Sequence, residues 1–388
     1  MEKEQPKKIK IITTYHVYNY GASLQAYALM QYLMLRGHEV EVIKYQPPYL
    51  SVKYDYKWVN PESKAAKYWV TRWIYRIAKY VQRQTTMLRK RAFDDFTRNV
   101  IKETKESYTS YDQLKNNVPI ADVYICGSDQ IWNVFYETGR DPAFYLNFVP
   151  QGKRKISYAA SFSYLDVGEE MRKKIGQYLE SFHSISVREY QGVELLVSMG
   201  LTGTWVLDPV FLIKKEKWDE FSKMGTIDNK LLKEPYLLIY DFENNQHLKL
   251  AAIDYAKKKH LKIYNVNDTY SRRYADKNFS NAGPYEFVQL ICNCSAFMSN
   301  SFHGTAFSFI FKKPFWVFKR NRHAVNSRME SLLYMFEEKK RMIGSFDDYM
   351  KVRDCDIDWD NIEIINTHYL KISESFLKNA ICDEEKGS

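Results

Sequence analysis

One local unit constrains this chain more than any other: a short apolar run, a cluster of small polar residues, then a helical stretch. Its clearest copy lies at 296–314. Ala296-Phe297-Met298 reads as a buried strand, Ser299-Asn300-Ser301 are helix-capping residues, and His303-Gly304-Thr305 opens a helix that closes at Lys312-Lys313-Pro314. A strand that turns through small residues into a helix aims several backbone N–H groups at one point, which makes an anion site. A histidine stands at that point, and imidazole is the side chain that changes charge near neutral pH. The segment reads as a cradle for a phosphate or carboxylate with a resident proton donor.

The same unit organises the rest of the sequence. Strands are predicted at 8–14, 39–45, 122–126, 155–160, 184–187 and 205–207, with helices at 23–36 and 169–181 and a further helix running to Met199. A second series has strands at 235–241, 261–266, 296–298 and 315–318 and helices at 246–259, 286–293, 305–311 and 327–337, with a last helix from about Ser373. Strands separated by helices imply parallel sheets. The fold class predicted is therefore α/β, with two Rossmann-like domains and a cleft between them. The first covers 1–208 and carries a basic helical insertion at about 60–105; the second covers 209–388 and ends in a helical tail. The turns at 18–21, 127–130, 161–163, 188 and 299–304 all fall at the C-terminal ends of predicted strands, where such folds bind ligands.

The formal charge of +10 is concentrated. From Lys64 to Lys105 there are 12 Lys or Arg against Asp94, Asp95 and Glu103. Ala66, Trp69, Val70, Trp73, Ile74, Ile77 and Val81 share one helical face, and Arg72, Arg76, Lys79 and Arg83 the other. The favoured reading is a surface helix whose apolar stripe packs on the domain. The alternatives are a helix lying in a membrane interface over 64–83 and, last, a nucleic-acid patch. Because the rest of the chain is nearly neutral, no nucleic-acid partner is expected. The five cysteines form no CxxC pair and the start has no apolar leader, so a reduced, cytoplasmic protein is expected. No apolar run approaches a membrane span.

Each turn has a structural reading beside a functional one. Tyr18-Asn19-Tyr20-Gly21 lacks the spacing of a dinucleotide fingerprint and could be only a strand-to-helix loop. Asp129, after Gly127-Ser128, either caps a helix or binds a hydroxyl. Arg188 either pairs with Glu189 or grips a phosphate or carboxylate bidentately. His303 either caps its helix or gives up a proton. No P-loop, GxSxG elbow or HExxH is present, the eight histidines form no ligand cluster, and Cys292-Asn293-Cys294 is poorly spaced for zinc. Neither a metal nor a nucleophilic cysteine is expected.

Six blocks, in order, resemble the polysaccharide pyruvyl transferase family: YNYGASLQAYAL from Tyr18, ICGSDQIWN from Ile125, ISVREYQGVELL from Ile185 with VLDPVFLI from Val206, GPYEFVQLI from Gly283, SNSFHGTAFSFIFKKPF from Ser299, and NSRMESLL from Asn326. The resemblance implies a GT-B-like arrangement. It also implies transfer of pyruvate from phosphoenolpyruvate to two hydroxyls of a sugar, giving a cyclic ketal on a bacterial surface glycan, with no cofactor beyond that donor.

Residue by residue, the resemblance makes His303 the general acid, with Arg188 steadying the donor. Some members carry an arginine shortly before that histidine. Ser301 stands there in this chain, so donor binding falls to Arg188, Asn300, Ser301, His303, Gly304, Thr305 and a further cation from Arg320, Arg322 or Arg328. The acceptor sugar is placed against Tyr18, Asn19, Tyr20, Gly21, Gln25, Ser128, Asp129 and Asn133. Asp129, or His303 once deprotonated, would be the base. A lipid-linked acceptor would suit a membrane contact through 64–83. The alternatives are a nucleotide-sugar glycosyltransferase of the same fold and a non-catalytic glycan-binding protein.

Overall fold

A computed structural model describes residues 5–51, 67–78, 80–163, 167–267, 271–321 and 326–382. Two parallel sheets dominate. The first has strands β1 (Lys8–Ile12), β2 (Glu39–Tyr45), β3 (Glu103–Tyr108), β4 (Val123–Cys126) and β5 (Arg154–Ser157) in the order β3-β2-β1-β4-β5. A two-stranded ribbon, β6 (Ser186–Val187) with β7 (Thr204–Trp205), continues it through the bridges Ile156–Ser184 and Ala160–Val187. The second sheet has β8 (Tyr236–Tyr240), β9 (Lys262–Asn265), β10 (Lys277–Asn278), β11 (Ala296–Ser299), β12 (Phe315–Phe318) and β13 (Met342–Ile343), in the order β10-β9-β8-β11-β12-β13. Each sheet reverses its winding beside its first strand, at β1/β4 and at β8/β11. These are the points where a doubly wound sheet opens a crevice.

The central strands form where expected because they are apolar on both faces: β4, β8, β11 and β12 are buried at every residue, whereas the two-residue strands β10 and β13 were not expected. β3 was read instead as part of the helical insertion. It is an edge strand whose sequence, Glu-Thr-Lys-Glu-Ser-Tyr, buries only Thr104 and Tyr108, so hydrophobic alternation is missing.

One apolar core runs through both domains. Tyr20 stacks on Phe287 with ring centroids 4.5 Å apart, and Trp218 meets both Tyr27 and Phe307. This continuity fixes how the domains face each other. The C-terminal helix, Trp359–Cys382, belongs by sequence to the second domain, where Glu363 pairs with Lys312, and its second half packs in space on the first. There Ser373 Oγ accepts from the Leu207 N–H at 3.0 Å and Glu374 pairs with Arg36 at 2.7 Å.

The basic insertion departs from the favoured reading. The helix Trp69–Ala78 leaves Trp69, Val70, Trp73, Ile74 and Ile77 exposed rather than packed. Ala66 and Arg322 lie outside the described residues, as do the side chains of Arg76, Lys79, Val81 and Arg83.

Candidate active site

The first crevice is built from the ends of β1 and β4. Thr13 and Thr14 continue β1, and Gly127-Ser128-Asp129 continues β4. Thr13 Oγ1 donates to the Ser128 carbonyl at 2.8 Å, Gln25 Nε2 donates to Thr13 Oγ1 at 2.9 Å, and Thr14 Oγ1 donates to Asp129 Oδ2 at 3.2 Å. Asp129 sits at φ 77°, in the left-handed region that short polar residues tolerate. Asn19 is the N-cap of the helix Tyr20–Leu35, accepting from the Gly21 N–H at 3.0 Å.

The second crevice follows β8 and β11. Asn300 Nδ2 donates to Asp241 Oδ1 at 2.8 Å, and Asn300 Oδ1 accepts from the Phe242 N–H at 3.0 Å. Ser301 caps the helix Phe302–Ile310, accepting from the Gly304 N–H at 3.2 Å, and Thr305 Oγ1 donates to the Ser301 carbonyl at 2.9 Å. His303 is the second residue of that helix. Its ring crosses to the other domain and lies on Gly21, where an added Cβ would fall 1.8 Å from Nδ1.

One carboxylate joins the two sides. Asp208 Oδ2 accepts from Arg188 Nη1 at 2.8 Å and from Ser128 Oγ at 2.8 Å, and it stands 3.5 Å from His303 Nε2. That last contact is an ion-pair distance rather than a formed hydrogen bond, so the buried Nε2 has no hydrogen-bond partner among the described residues. Burial works against the charge on Asp208, but His303 and Arg188 outweigh it and hold the carboxyl well below the usual range. Arg188 is fully buried. It also reaches Asp129 at 3.3 Å and lies over the Phe302 ring at 4.3 Å. Burial opposes its charge too, yet Asp208, Asp129 and Glu189 raise its pKa.

Of the three candidates for a further cation, Arg320 and Arg328 are described, and they differ in their partners. Arg320 Nε donates to Glu243 at 3.0 Å, so its charge is matched. Arg328 is buried and, among the described residues, forms no ion pair. With the Gln130 amide turned as its neighbours require, the amide oxygen accepts from both Arg328 guanidinium NH2 groups at 3.3 Å, while Nε has no partner. Burial and the like charge of Arg188 push the Arg328 pKa down to about 10, so the group stays charged at neutral pH. Glu189 lies in the same cluster, fully buried. Its carboxyl accepts from the Ser161 hydroxyl, and burial raises its pKa. Asp129 and Glu189 favour the Arg328 charge from a distance, but among the described residues no carboxylate reaches it as an ion pair.

The structure thus brings Arg188, Asp129, Ser128, His303, Arg328 and Gly21 together. Asn300, Ser301 and Thr305 shape the turn and engage their side chains within it. Tyr20 is sealed into the interdomain core, with its hydroxyl donating to the Ala282 carbonyl at 2.9 Å. Tyr18, at φ 51°, and Asn133 are also buried. Two polar residues were missed from sequence, of which Asp208 touches the cluster and His16 lies beside it in the chain. Asp208 was read only as the stop before Pro209. His16 Nε2 lies 2.9 Å from Glu103 Oε1, two residues beyond the Thr14 that donates to Asp129. Its signal, a histidine closely following β1, was present but its partner comes from the unrecognised edge strand. Burial opposes the Glu103 charge, but His16, Tyr15 and Lys44 pull its pKa down to about 2.

The family described as polysaccharide pyruvyl transferase matches residues 19–322. No curated protein sequence matches the chain. Among solved structures, a UDP-GlcNAc 2-epimerase from Neisseria meningitidis bound to UDP-GlcNAc aligns with TM-score 0.53 at 12% identity, over 95% of this chain and 99% of that one. The UDP-GlcNAc 2-epimerase from Methanocaldococcus jannaschii aligns with TM-score 0.50 at 12% identity, again over 95% and 99%. At such identity the likeness is one of fold: two Rossmann-like domains in a GT-B-like arrangement.

Proposed function

The chain belongs to the polysaccharide pyruvyl transferase family, and from that premise we propose that it moves pyruvate from phosphoenolpyruvate onto two hydroxyls of a sugar, forming a ketal. The acceptor is a bacterial surface polysaccharide or its lipid-linked precursor, met at the inner face of the membrane. One observation supports this reading above the rest: a buried Arg328 guanidinium, in no direct ion pair among the described residues, stands in the cluster that also holds Arg188, whose carboxylate partner Asp208 lies beside His303.

The chemistry suits these groups. Phosphoenolpyruvate carries a phosphate and a carboxylate on an enol ether. Arg328 and the N–H groups at the start of the helix Phe302–Ile310 receive the anion. Arg188, whose donors already meet Asp208 and Asp129, sets the field behind it. His303 Nε2 gives a proton to the methylene carbon, and C2 becomes an oxocarbenium-like electrophile. One sugar hydroxyl adds to C2 and loses its proton to Asp129 or to the now neutral His303. Phosphate leaves, the second hydroxyl adds to C2 and gives its proton to the departing phosphate, and the products are the ketal and inorganic phosphate. Asp208 complements the protonated imidazole before transfer.

A thermal-shift screen decides between donors. Phosphoenolpyruvate should raise the melting temperature and UDP- or GDP-sugars should not. A shift with nucleotide sugars alone would establish the glycosyltransferase reading instead. Full pathway activity in His303→Ala would favour a non-catalytic glycan-binding role.

A further inference from the structure

The helix Trp69–Ala78 is inside out. Trp69, Trp73, Ile74 and Ile77 are 80%, 61%, 56% and 54% exposed, whereas Thr71 and Tyr75, on the opposite side, are partly buried. The four apolar residues fall at i, i+4, i+5 and i+8, a single stripe, with Val70 within it. A contiguous apolar face on the outside of a protein marks an interaction surface. Its charge setting is one-sided: from Lys64 to Phe93 the sequence has nine Lys or Arg and no Asp or Glu.

We propose that this face seats in the interface of an anionic bilayer, with the helix lying along the surface and its two indoles at headgroup level. Ten residues are too few to cross a bilayer, so the helix lies on it. Paired Trp beside aliphatic residues, within a run of unopposed positive charge, matches both layers of such an interface. A second copy of this chain fits worse, because it would bring an identical basic run against this one.

The face is also tied to the site. The next helix, Tyr80–Val100, carries Arg89 into the interdomain seam. There Arg89 donates to the Ala282 carbonyl at 3.1 Å and to the Tyr18 carbonyl at 3.3 Å, and its guanidinium lies 4.3 Å over the Tyr20 ring. The 18–21 turn that supports His303 is therefore held by the helix following the docking face. A bilayer contact here would bring the site to an acceptor anchored in the same leaflet. The proposal rests on the pyruvyl-transfer reading for that purpose, but its binding physics does not depend on it.

The test is co-sedimentation of the full chain with vesicles of equal parts phosphatidylglycerol and phosphatidylcholine, and with phosphatidylcholine alone. Wild type should sediment with the anionic vesicles and be released by salt. Trp69→Glu with Trp73→Glu should reduce that binding at least about tenfold while the melting temperature stays unchanged. Wild type remaining in the supernatant at low salt would overturn the proposal, as would equal binding by both proteins. So would Trp-dependent self-association in gel filtration without vesicle binding. Absence of a phosphoenolpyruvate thermal shift in either protein would instead count against the functional reading and leave the vesicle result standing.

Discussion

His303 and Gly21, from opposite domains, are in direct contact: the imidazole lies on the glycine, whose missing Cβ would stand 1.8 Å from Nδ1. The glycine is in ordinary helix, so it is close approach rather than backbone conformation that requires it. Gly21→Ala should push the ring off its position. A displacement near 1 Å costs about 100-fold in rate, and the overpacking about 1–3 kcal/mol in stability. Ketal formation and urea unfolding measure the two. Wild-type turnover in Gly21→Ala would separate this contact from catalysis.

Arg328 makes an opposite-signed prediction. Among the described residues Arg328 has no direct ion pair, so removing it relieves a desolvation cost that its longer-range attraction to Asp129 and Glu189 only partly offsets. Arg328→Met should leave the melting temperature of the free protein unchanged or higher, while the upward shift caused by phosphoenolpyruvate is lost. An equal shift in variant and wild type would show that the donor does not reach this group.

Asp208 and Asp129 should differ in stability. Asp208 is fully buried between Arg188 and His303, whereas the Asp129 side chain keeps 15% of its exposure. Asp208→Asn leaves a buried guanidinium underbalanced and should destabilise by about 3–5 kcal/mol. Asp129→Asn should cost clearly less. Urea midpoints at neutral pH give the order, and a reversed order would relocate the keystone of the cluster.

Acid should weaken the fold through two depressed carboxyls. Glu103, pulled down to about 2, and Asp208, also held low, bind fewer protons folded than unfolded. Their stabilisation is complete above the unfolded values near about 4 and is lost as pH falls below them. Urea midpoints followed downward from neutral pH should therefore decline in that window. Glu103→Gln should flatten part of the decline. An unchanged slope would mean that the Glu103 contacts with His16, Tyr15 and Lys44 add nothing to folding.

Much of the architecture was legible because burial is periodic along the chain. β2, β12 and the helix Gln246–Lys259 coincide with their expected ranges. The polar edge strand β3 had no such period. The C-terminal helix begins at Trp359 rather than near Ser373. Its first half, rich in Ile, Asn and Thr, has weak intrinsic preference and is held by packing on both domains. His303 and Arg188 were legible as ends of strand-turn-helix units. Asp208, which unites them, looked in sequence like a strand terminator before Pro209.

The sequence by itself determined two wound α/β sheets and the turns at their strand ends, because apolar period and capping residues are local signals. How the described arginines are partnered was decided only by tertiary structure. Arg188 and Arg320 meet carboxylates at Asp208 and Glu243, and Arg328 meets an amide. Arg320 and Glu243 are 77 positions apart, so charge pairing follows from how the sheets pack and from which groups that packing removes from water.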